Sequence, residues 1–70
     1  MTTANDIARA LQFVARDIFG EANSLAVYDS SSPHGARQMR VSLRRMEWLI
    51  DQLRTERTRL IEQLDWEDTL

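Results

Sequence analysis

The stretch Ser30–Leu53, SSSPHGARQMRVSLRRMEWLIDQL, changes character within a few residues. It begins as turn chemistry. Ser32 followed by Pro33 has the order of an N-cap and a first helical position, where the missing N–H of proline does no harm. From there apolar residues alternate three and four apart: Ala36, Met39, Leu43, Met46, Ile50 and Leu53, resuming after Arg57 with Leu60 and Leu64. This spacing predicts an amphipathic helix with a heptad seam. Arg57 alone interrupts the apolar run. It reads either as a snorkelling side chain at the edge of the seam or as a buried polar residue that fixes register or partner number.

Upstream, TTANDIARALQFVARDIFGEANSLAVY (residues 2–28) repeats the same period. Leu11, Ile18 and Leu25 form a large column and Ala8, Ala15 and Ala22 a small one, which predicts a face that packs closely on another helix. Thr3 with Asp6 three residues on has the form of a capping box and marks the start. Gly20 is the local objection, because glycine within a helix costs about 1 kcal/mol relative to alanine. One helix is expected to continue through it, with a kink or a point of close contact there.

Two helices joined by so short a turn fold antiparallel. The expected fold is all-α, a single helical-hairpin domain over residues 1–70, with helix 1 at about 4–29, a turn at 30–32 and helix 2 at about 33–67. At about 1.5 Å per residue, helix 2 is expected to run some 10–15 Å past helix 1. That places Leu60, Ile61, Leu64, Trp66 and Leu70 in an apolar overhang. One hairpin interface is also expected to leave Ile7, Val14, Val41 and Leu49 uncovered. Dimerisation into a four-helix bundle answers both problems, with Arg57, Leu60, Ile61, Leu64 and Trp66 as the expected dimer contact.

Composition agrees with a need for reinforcement. Seventy residues bury little apolar surface, and the absence of cysteine excludes disulfides and thiolate metal sites. The start of the chain lacks the basic and apolar regions of a signal peptide, and no segment reaches the roughly 20 apolar residues of a membrane span. The expected setting is cytoplasmic, with no membrane partner. With 9 basic residues, all arginine, against 11 acidic ones, the net charge of −2 gives no global attraction to nucleic acid.

Charge is also uneven along helix 2. Arg37, Arg40, Arg44 and Arg45 crowd its start and Glu62, Asp65, Glu67 and Asp68 its end, against the preference of the helix dipole. Two copies set antiparallel across a two-fold axis place each basic third on the other's acidic third. The alternative is two solvated ends with local pairs among Arg54, Glu56 and Arg59.

Catalytic chemistry has no foothold here. His34 is the only histidine and sits beside the serines of the turn, where nothing builds an oxyanion site. There is no Glu-x-x-His pair and no Gly-rich phosphate loop. Neither enzymatic activity nor a cofactor or metal is expected.

The remaining surface of interest is Arg37, Arg40, Arg44, Arg45 and Trp48. Arginine beside an exposed tryptophan has the composition of an interface hot spot, although Trp48 also suits a dimer core. As an exposed face it fits an acidic patch on a protein or, less well in a net-acidic chain, RNA phosphates and bases.

The polar turn with His34, the Arg37-x-x-Arg40-x-x-Leu43 run and the Trp48–Leu49 pair resemble the phage quorum-sensing anti-activators, a family of two-helix hairpin dimers. The likeness covers the turn and the first half of helix 2 and requires an insertion before Trp48. It implies a protein that binds a host bacterial regulator such as a transcription factor, or a defence component, and switches it off. The layout is also similar to plasmid copy-number RNA-binding hairpin dimers, in architecture alone. The expected function is therefore non-enzymatic inhibition of a host protein. An RNA-binding dimer and a structural adaptor or assembly chaperone acting through residues 60–70 are the alternatives.

Overall fold

A computed structural model of the chain describes residues 2–69. It is an all-α antiparallel hairpin of two helices, α1 (Ala4–Val27) and α2 (Pro33–Asp68). Both helix starts are built from side chains. The Thr3 backbone N–H donates to the Asp6 carboxylate at 3.0 Å, and the Asp6 N–H donates to the Thr3 hydroxyl at 3.3 Å, completing the expected capping box. At α2 the Gly35 N–H donates to the Ser32 hydroxyl at 3.2 Å, with Pro33 at the first helical position.

Between the helices, Asp29 organises the turn. Its carboxylate accepts the Ser31 N–H at 3.0 Å and the Ser31 hydroxyl at 2.6 Å. The backbone has left the helix by Tyr28, whose ψ is 143°. α1 thus stops two residues short of the expected end, because Asp29 bonds forward to Ser31 rather than continuing the helix. Gly35 lies directly against this turn, and a Cβ built on it would overlap the carbonyl oxygen of Asp29.

The seam between the helices differs from the expected one in half of its columns. On α1, Leu11, Ile18 and Leu25 face the partner as expected, joined by Ile7, Val14 and Glu21, whereas Ala8, Ala15 and Ala22 are exposed. On α2, Met39, Met46, Leu53 and Leu60 lie along the seam, but the second column is Gly35, Ser42, Leu49, Glu56 and Gln63. The expected second column is outside: Leu43 is 54%, Leu64 47% and Ile50 36% exposed. Ile7 and Leu49, expected to be uncovered, are instead the buried apolar residues at 4% and 9% exposure.

Small size and hydrogen bonding explain that choice. Gly35 and Ser42, the latter 2% exposed, let the helices approach near the turn. The Ser42 hydroxyl donates to the Glu21 carboxylate at 2.6 Å. At the far end Glu67 accepts from Gln63 at 3.2 Å and from the backbone N–H of Ala4 at 3.1 Å. Among the described residues no buried side-chain polar atom lacks a partner.

The Ala4–Glu67 bond also removes most of the expected overhang. The 24-residue α1 is extended at both ends by non-helical chain, Thr2–Thr3 and Tyr28–Asp29, which covers more than twice the length per residue of a helix. Glu67 reaches back along α2, as helical side chains do. Leu60 is therefore half-buried beside α1, whereas Ile61, Leu64 and Trp66 are exposed on its flanks. Leu70 lies outside the described residues. The molecule is a rod of 57 × 15 × 14 Å. No helix among the described residues is long and apolar enough to cross a membrane.

Candidate functional site

Two faces flank the seam, and Trp48 stands on one of them, 62% exposed. At about 100° per residue, Arg37, Arg44 and Arg45 fall within about 60° of Trp48 around α2, and Arg40 at about 80°. The structure thus brings Arg37, Arg44, Arg45 and Trp48 to one side and leaves Arg40 at its margin. Arg37, Arg40 and Arg44 are exposed and form no salt bridge among the described residues. Arg45 reaches across the hairpin to Glu21 at 3.6 Å. Because the Glu21 carboxylate also accepts from Ser42, it is half-buried and aims Arg45 toward α1.

Below Trp48 the surface opens into a hollow of about 510 Å³ lined by Asp17, Gly20, Glu21, Ser24, Arg45, Trp48 and Leu49. Gly20 makes the opening possible. α1 runs unbroken through it, and a Cβ added there meets nothing within 4 Å. The glycine is neither a helix break nor a close contact; it is the missing side chain that leaves the floor open. Asp17, Gly20 and Ser24 belong to this surface and were not expected there. Their spacing of three and four on α1 was the available signal.

Trp66 repeats the arrangement. It follows Trp48 by 18 residues, five whole helical turns, so both rings leave α2 in the same direction about 27 Å apart. A second hollow of about 360 Å³, lined by Thr2, Ile7, Arg59, Glu62, Gln63 and Trp66, lies beside it. Along α2 itself the two ends differ in charge, with Arg37, Arg44 and Arg45 around Trp48 and Glu62 beside Trp66, while α1 adds Asp17 and Glu21 to the first hollow. Of the expected local pairs, Arg59 is held by Glu56 at 3.0 Å, whereas Arg54 lies 3.9 Å from Asp51 instead.

Arg57 is exposed, one column outside the seam, on the opposite side from Trp48. His34 is exposed at the start of α2. No group of three or more metal-ligating side chains occurs among the described residues. Comparison with family models, with characterised proteins and with solved structures gives no match.

Proposed function

We propose that the chain is a non-enzymatic protein-binding modulator that grips an acidic patch on a larger protein through Trp48 and the arginines around it. The observation that carries this reading is the exposed Trp48 ring at the rim of the Gly20 hollow with Arg45 beside it. An aromatic anchor with an open recess and adjoining guanidinium groups is the composition of a binding hot spot. The class of target, a bacterial regulatory or defence protein that is inhibited on binding, follows from the resemblance of the turn and the start of α2 to phage anti-activators.

The test is retention of proteins from bacterial lysate on immobilised wild-type chain and on the triple variant Arg40→Ala, Arg44→Ala, Trp48→Ala, with helicity of both checked by circular dichroism. A protein held by the wild type and lost by the folded variant supports the proposal; identical retention sinks it. If structured RNA binds at low salt and is released steeply as salt rises, the arginines serve phosphates instead.

A further inference from the structure

The face opposite Trp48 is apolar at Ala15, Leu43, Ile50 and Leu64 and is interrupted on α2 by the exposed Arg57. On each helix the exposed column lies one residue after the buried one: Ala15 follows Val14, and Leu43 and Ile50 follow Ser42 and Leu49. One residue is a rotation of about 100°. Because the helices are antiparallel, the same rotation carries both columns to the same side of the hairpin. Gly20 and Trp48 line one hollow on the other side, as this geometry requires.

We infer that this face is covered by a second copy of the chain, packed face to face with its turn at the opposite end, about a two-fold axis that passes Ala15 and the Ile50–Asp51 level. The axis position follows from two independent features. On α1 the alanines at 8, 15 and 22 are symmetric about Ala15, so a two-fold axis there sets Ala8 on Ala22 of the second copy and lets the two α1 helices approach closely. Because both helices rise equally per residue, the Glu21–Ser42 contact puts Ala15 level with about residue 48 and the Ala4–Glu67 contact, made by a side chain that reaches back along α2, with at most about residue 56, and the Ile50–Asp51 level falls between them. On α2, Glu47 and Arg54 border the apolar face and line a hollow of about 350 Å³ with Leu43 and Ile50. Their midpoint also falls between Ile50 and Asp51. An axis there sets each Glu47 beside Arg54 of the other copy and turns the basic start of α2 toward the acidic end of its mate.

Surface area supports the same occupant. A compact monomer of 8.2 kDa is expected to expose about 4,500 Å², whereas this hairpin exposes 5565 Å². The excess of about 1,000 Å² is comparable to the roughly 800 Å² that each partner buries in a standard interface. The inference does not rest on the proposed function, since the Trp48 faces point outward on both sides of the pair.

The experiment is sedimentation equilibrium of the full chain, wild type and variants, over a wide concentration range with circular dichroism on the same samples. The wild type is expected at twice 8.2 kDa. Ala15→Glu and Ile50→Glu are expected to abolish the dimer, and Trp48→Glu to leave it intact. A charge exchange separates loss of the dimer from loss of helicity in these single variants of the face. Glu47→Arg sets like charges together twice per dimer and is expected to weaken it about tenfold, and adding Arg54→Glu is expected to restore it. A monomeric wild type, a dimer broken by Trp48→Glu but not by Ile50→Glu, or a double variant no tighter than Glu47→Arg each overturns the inference.

Discussion

Replacing each of the two glycines by alanine is predicted to shift stability in opposite directions. At Gly20 the new methyl enters open space within a continuous helix. Only backbone propensity changes, a gain of about 1 kcal/mol, which raises the thermal midpoint by roughly 4–8 °C in a domain of this size. At Gly35 the methyl meets the carbonyl group of Asp29. That neighbour is backbone and cannot rotate aside, so the turn must move, and with it the Ser32 cap and the Asp29–Ser31 bonds. Overpacking of this kind costs about 1–3 kcal/mol, more than the first helical turn recovers from alanine, and the midpoint is expected to fall by roughly 5 °C or more. The assay is thermal and urea unfolding followed at 222 nm, at one protein concentration for all variants because association adds apparent stability. A Gly35→Ala variant as stable as the wild type would refute the close approach of turn and helix. A destabilised Gly20→Ala would show that the space beside Gly20 is occupied.

Neighbouring residues on α2 should behave as differently as their burial. Leu49→Ala is expected to cost about 2–5 kcal/mol, whereas Trp48→Ala should change stability by less than about 1 kcal/mol, and urea unfolding of both separates them. Ser42→Ala removes the 2.6 Å bond to Glu21 and is expected to cost about 1–2 kcal/mol; a neutral result in the same assay would mean that the hydroxyl is not needed to seat the carboxylate. Asp6 is held below the ordinary aspartate value of 3.8 by the Thr3 backbone and hydroxyl donors, and Asp29 by the Ser31 hydroxyl and N–H. Depressed folded values mean that their stabilisation is complete above 3.8 and is lost as pH falls below it through the folded values. Midpoints should therefore decline below about pH 4, and Asp6→Asn with Asp29→Asn should flatten that decline. Finally, Trp48 and Trp66 should both be quenched by acrylamide in the free chain, with protection of Trp48 on addition of an acidic protein partner; a shielded Trp48 in the isolated protein would contradict its exposure.

The two helices, their N-caps and the turn were legible because each depends on residues within a few positions of one another. Thr3 with Asp6, and Ser32 with Pro33, state local hydrogen bonds and a local φ. Half of the seam was legible too, since Leu11, Ile18 and Leu25 and the Met39–Leu60 column satisfy the heptad whichever neighbour they join. The other half was not. Hydrophobicity selects Leu43, Ile50 and Leu64 over Ser42, Glu56 and Gln63, and the pattern does not say which of two adjacent columns faces the partner within the chain. The hollow at Gly20 was missed for a related reason: glycine in a helix announces a missing side chain but not what lies across from it.

The polar column inside the hairpin is consistent with the rest of the surface once both faces are considered together. Turning α2 by one residue would bury Leu43, Ile50 and Leu64 against α1, yet the same rotation would draw Arg57 into the seam, where an unpaired guanidinium is costly. It would also remove Gly35 from the Asp29 carbonyl and break the Ser42–Glu21 bond. The contact of small and hydrogen-bonded residues fixes the register, since each of these partners has one place to go, whereas a purely leucine seam would tolerate sliding. The column displaced by that arrangement, with Leu43, Ile50 and Leu64 around Arg57, is the one proposed to meet a second copy, and the same placement of α2 turns Trp48 and Trp66 to the other side. Register within the hairpin, the face proposed for self-association and the aromatic–arginine face proposed for a partner thus all depend on one rotational setting of a single helix.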